Sequence, residues 1–128
     1  MENKEKYTAG FCYEIYIVIK DKDSYLENIT VEDFCKTLTE ICAQKDIAFS
    51  LITQLGGYQH GWGYTTETSL RIVIIGANEP EITELGARMK KIVNTDTIMI
   101  TRSEIEYAIL KRQNLTYVFS RKLRKGIK

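Results

Sequence analysis

The sequence predicts an α+β domain with elements in the order βαββαβ. Three observations carry this. Residues 11–20 alternate strictly with period two, residues 30–45 and 81–94 repeat apolar side chains at helical spacing, and short apolar runs at 47–55, 70–75 and 97–101 supply further strands.

The first strand has two readable faces. Phe11, Tyr13, Ile15, Ile17 and Ile19 form an apolar one, and Cys12, Glu14, Tyr16, Val18 and Lys20 a mixed one. A polar connection, Asp21 to Asn28, leads to the first helix. Thr30 is placed to cap that helix, with Asp33 three residues on in the capping-box position. Val31, Phe34, Cys35, Leu38, Ile41 and Cys42 then mark the buried stripe through about Lys45. Phe49, Leu51 and Leu55 share one face of the second strand, and Leu70 to Ile75 is a β-branched third. Pro80, the only proline, falls in a first helical turn, where its missing N–H costs nothing. Ile82, Leu85, Met89 and Ile92 continue that second helix, and Asn94 closes it. Thr97 to Thr101 is a fourth strand that Ser103 to Leu110 can extend.

Each βαβ unit favours a right-handed crossover, which places both helices on one face of an antiparallel sheet. The expectation is a ferredoxin-like βαββαβ sandwich over residues 1–110, with a basic C-terminal extension over 111–128. This plan resembles that of regulatory amino-acid-binding domains, PII-like nucleotide sensors, RNA-recognition motifs and small monooxygenases. No motif ties the chain to one of them. The aromatic octamer of RNA-recognition motifs is absent, since Leu70 to Ile75 holds no aromatic residue.

The plan leaves one sheet face uncovered. Glu14, Tyr16, Val18, Arg71, Val73 and Ile75 are placed there, too apolar a set for a face left in water. The reading is a homo-oligomer, or a partner protein, joined through that face. Arg71 and Arg102, read as central-sheet cations, need a carboxylate such as Glu14 or an anionic ligand.

Composition narrows the function classes. The chain has 128 residues, the size of one domain, and its 44% hydrophobic content suits a packed core rather than a disordered chain. No stretch reaches the roughly 18 apolar residues needed to cross a bilayer, and the N-terminus lacks a signal-peptide pattern, so a cytoplasmic protein is expected. Cys12, Cys35 and Cys42 have no CxxC spacing and read as small buried hydrophobes. With a single histidine, no metal site is expected, and no cofactor. Residues 111–128 carry seven basic residues and no acid, which leaves eleven basic against seventeen acidic residues, a net of −6, over 1–110.

The most unusual segment is 56–67, read as a connection too long for a tight hairpin turn. Four of the eight glycines fall within it, interleaved with Tyr58, Gln59, His60, Trp62 and Tyr64. Glycine permits close backbone approach, and Tyr and Trp offer flat faces for stacking on a base. The glycines match no phosphate-binding fingerprint. Tyr58, His60, Trp62 and Tyr64, with Arg71 and Tyr16, form the candidate ligand site. The alternative is a hairpin whose Trp62 folds back on the sheet or on a neighbouring subunit.

Three readings of function follow. The first is a non-enzymatic, homo-oligomeric binding protein for a small anionic, nucleotide-like ligand, with the site between subunits. The second is a nucleic-acid or protein interaction module acting through Arg121, Lys122, Arg124 and Lys125. The third is a small enzyme using His60 as acid or base, although no nucleophile and orienting acid accompany that residue in sequence.

Overall fold

A computed structural model describes residues 7–110, the side chains of Tyr58 and His60 excepted. The chain divides into two compact units, Gly10–Ile105 and a second made of Met1–Ala9 with Glu106–Lys128. The first unit holds both helices and nearly all of the sheet. The basic extension lies outside the described residues.

The elements are β1 (Thr8–Val18), α1 (Val31–Lys45), β2 (Ser50–His60), β3 (Gly63–Ile75), α2 (Glu79–Val93) and β4 (Met99–Tyr107). They form one four-stranded antiparallel sheet in the order β2-β3-β1-β4, with the helices on one side. This is the ferredoxin-like fold expected from the sequence. Among the described residues, no helix is long and apolar enough to cross a membrane.

The helix ends follow from local chemistry. Thr30 Oγ1 accepts the Asp33 N–H, and Asn78 and Glu81 form a reciprocal capping box around Pro80. Asp46 and Asn94 close the two helices in the left-handed conformation, which short polar residues tolerate best after glycine. Gly76, at φ 96°, turns the chain from β3 toward α2.

The core lies between the helices and one sheet face. Ile15, Ile17, Ile72 and Ile74 pack there with Phe34 and Leu38 of α1 and Ile82, Leu85 and Met89 of α2. Burying each such side chain is worth roughly 1.5–3 kcal/mol.

Three expectations are corrected. Ile47 does not open β2: its N–H bonds the Cys42 carbonyl at 2.9 Å, closing α1, so the strand begins at Ser50. The segment 56–67 is not a long connection. The β2–β3 ladder runs unbroken through Gly57↔Thr66 and Tyr58↔Thr65 to His60↔Gly63, leaving a two-residue turn at Gly61-Trp62. Threonines 65, 66 and 68 suit strand backbone, and the paired glycines of β2 do not break it. Third, Arg102 is not a central cation. It lies on an edge strand, pairs with Glu79 at 3.0 Å, and sits 4.8 Å over the Phe11 ring.

Candidate functional site

Directly paired residues in an antiparallel ladder face the same side. The register therefore defines the face that the helices do not cover. Glu14 stands opposite Val73, Tyr16 opposite Arg71, and Val18 opposite Ser69. On the other flank of β3, Ile52 stands opposite Arg71, Gln54 opposite Ser69, and Gly56 opposite Glu67. This is the mixed face read from the sequence. Its β1–β3 ladder ends at Val18↔Ser69, and the β2–β3 ladder runs on beyond it as an arm.

Two ion pairs cross this face. Arg71 Nη1 donates to Glu14 Oε1 at 3.3 Å, and the Tyr16 hydroxyl donates to the same oxygen. The Tyr16 bond, then Arg71, holds the Glu14 carboxyl below the usual carboxylate range, and Glu14 in turn raises the Tyr16 phenol. The second pair is Lys20 Nζ with Glu67 Oε2 at 3.3 Å. The Glu67 side chain is only 10% exposed and also accepts from the Thr65 hydroxyl at 3.4 Å. A carboxylate so far removed from water needs such partners.

Ser69 sits between the two pairs along β3. The residue is 1% exposed, and its Oγ is the one buried side-chain oxygen or nitrogen among the described residues with no hydrogen-bond partner. Buried hydroxyls are normally satisfied, so this one calls for an explanation. The face thus offers two cations, two carboxylates, a phenol and an orphan hydroxyl. That set can grip a polar, near-neutral molecule from several directions. It does not resemble a metal centre: no group of three metal-ligating side chains occurs among the described residues. Cys12 also lies on this face, but burial pushes its thiol up, away from the reactive thiolate.

The sequence-predicted site residues separate into two places. Tyr16 and Arg71 sit together on the face. Trp62 lies in the arm's turn, 73% exposed. The eight steps from Gly63 to Arg71 span roughly 26 Å of strand, so one chain does not bring Trp62 to Arg71. Tyr64 falls on the opposite face of the arm, its ring lying over Gly57. Tyr58 and His60 occupy ladder positions opposite Thr65 and Gly63. Arg121, Lys122, Arg124 and Lys125 lie outside the described residues. Sequence reasoning missed Lys20, Glu67 and Ser69 as site residues. In the sequence they appear only as a polar series, Glu67, Ser69, Arg71, at every second position, a pattern that solvent-facing strand residues share.

No protein-family model matches this chain, and neither does any curated protein. Solved structures do match in fold. A phage SAM lyase in its apo state superposes with a TM-score of 0.59 at 23% identity, covering 81% of this chain and 91% of that one. The phage SAM lyase in complex with S-methyl-5′-thioadenosine gives 0.58 at 24% identity, covering 80% and 90%. The B. subtilis GlnK–ATP complex gives 0.52 at 14% identity, covering 76% and 82%.

Proposed function

We propose that the chain is a homo-oligomeric binding protein for a small adenosine derivative substituted at its 5′ carbon. The observation that carries the reading is the uncovered sheet face itself, where two opposite-charge pairs bracket a buried, unpartnered hydroxyl. Pockets that fix a small ligand combine a few convergent polar groups in this way. Two structures of the same fold support the ligand class. One holds S-methyl-5′-thioadenosine and the other ATP, and both molecules are 5′-substituted adenosines.

Association is supported by what the single chain leaves in water. Ile75 and Met99 on the uncovered face, and Trp62 and Tyr64 on the arm, are all exposed. In an oligomer, the arm of one copy brings its aromatic rings to the face of the next. That supplies a stacking surface for an adenine beside Tyr16. A sensor and a sequestering protein share this description.

Thermal-shift measurements with S-methyl-5′-thioadenosine and ATP test the reading, alongside light scattering for mass. Stabilisation by at least one ligand, lost in Trp62→Ala, together with a mass above one chain, is the expected result. A monomer that neither ligand stabilises at millimolar concentration contradicts it.

A second reading is enzymatic. Glu67 provides a carboxylate nine-tenths withdrawn from water, a fit counter-charge for a sulfonium cation. On this reading the chain cleaves S-adenosylmethionine. The substrate's own carboxylate bonds to the carbon next to sulfur and closes a lactone as the carbon–sulfur bond breaks, its electron pair passes to sulfur, and S-methyl-5′-thioadenosine leaves. Release of that product, abolished by Glu67→Gln, supports this reading, and absence of turnover removes it. Loss of turnover in His60→Ala instead assigns the chemistry to His60.

A further inference from the structure

We propose that Ser69 anchors the ribose of the bound ligand, its hydroxyl and the neighbouring Glu67 carboxylate together reading a vicinal diol. The inference rests on the adenosine reading above and adds to it which part of the ligand meets which atoms.

The argument begins with burial. Ser69 is 1% exposed, and its Oγ has no partner. A hydroxyl left so costs stability, about as much as a lost hydrogen bond. Alanine or valine at this position would avoid that cost, and valine suits the strand better. A position that keeps an orphan hydroxyl at a cost fits one whose partner arrives with a ligand.

The surroundings select the partner's chemistry. By strand alternation Ser69 points to the uncovered face, with Val18 and Gln54 directly across from it. Two positions away, roughly 7 Å along the strand, lies Glu67 on one side and Arg71 on the other. Arg71 is neutralised by Glu14 and Lys20 by Glu67, so the spot carries no excess charge for a phosphate. What it offers includes a hydroxyl that both donates and accepts, beside a carboxylate that only accepts. A diol matches this: one hydroxyl donates to Glu67 and the next exchanges a hydrogen bond with Ser69. Carboxylates bind the ribose hydroxyls of dinucleotides on the same principle. In the free chain the hydroxyl is closed over, so binding must move a neighbour. Lys20, paired with Glu67 two positions along the strand, is a long, rotatable side chain that is one-third exposed and free to give way.

The test is a binding titration of S-methyl-5′-thioadenosine and its 2′-deoxy and 3′-deoxy analogues against the wild-type chain and Ser69→Ala. Ser69→Ala is expected to melt at or above the wild-type temperature, which separates a lost contact from a lost fold. It should bind S-methyl-5′-thioadenosine about tenfold more weakly. One deoxy analogue should lose a similar factor on wild type and nothing further on Ser69→Ala, because the same contact is removed twice. Equal affinity of the two proteins for S-methyl-5′-thioadenosine overturns this inference and leaves the adenosine reading standing. Equal losses for the deoxy analogues on both proteins also overturn it. Absence of binding to the wild-type chain overturns the adenosine reading, and this inference with it.

Discussion

Arg71 of β3 and Glu14 of β1 lie two residues out of register and pair diagonally across the uncovered face at 3.3 Å. Both side chains are less than one-third exposed, and the Tyr16 hydroxyl shares the Glu14 oxygen. The pair orders the central two strands on the side where no helix packs.

A partly solvated pair of this kind contributes little to stability. A double-mutant cycle of Glu14→Gln and Arg71→Leu, read by urea denaturation, should give a coupling of about 0.5–1 kcal/mol. A coupling indistinguishable from zero would show that the two groups do not hold each other in solution.

Acid should act through two carboxyls. Glu14 lies below its ordinary range because Tyr16 and Arg71 bond its charged form. Asp21 is lowered from 3.8 to about 2, chiefly by Asn94 Nδ2 at 2.6 Å and then by the Ser24 and Asp23 backbone. A depressed carboxyl contributes stability that is complete above its ordinary value and lost as pH falls through its folded value. The contribution of Asp21 thus fades as pH falls from 3.8 to about 2. Circular dichroism during acid titration should show Asp21→Ala unfolding at higher pH than the parent. Coincident curves would mean that the tie from the β1–α1 connection to the end of α2 does not matter.

Gly57 and Tyr64 make a close contact of ring on backbone in the arm. A side chain at Gly57 would collide with the outer end of the Tyr64 ring, whereas one at Gly61 would meet open space. Tyr64 is exposed and can swing away. Gly57→Ala should therefore leave overall stability within about 1 kcal/mol while displacing the ring. The ring resonances of Tyr64 should move in Gly57→Ala and hold still in Gly61→Ala. Unmoved resonances in Gly57→Ala would contradict this packing.

The fold was legible because its core strands and helices have a side to alternate against. Ile15 and Ile17 on β1 and Phe34 and Leu38 on α1 show their periods because one side of each element is buried. The arm has no such side. Beyond Val18↔Ser69 it is a two-stranded ladder without β1 beside it, and residues 56–67 carry no apolar alternation, so their glycines read as breaks. Arg71 and Tyr16 could be placed together because each sits in a strand with a clear face. Ser69 and Glu67 were missed because a small hydroxyl and an acid in a strand look like solvent-facing residues. Only the three-dimensional burial of those two groups distinguishes them.

The central claim is that the uncovered face receives an adenosine derivative. The most direct measurement is a nuclear magnetic resonance titration of the isotope-labelled chain with S-methyl-5′-thioadenosine. Shifts that saturate and concentrate at Tyr16, Lys20, Glu67, Ser69 and Arg71, with the outward residues of α1 and α2 still, are the predicted result. Saturating shifts confined to the helices, or no shifts at millimolar ligand, would contradict it.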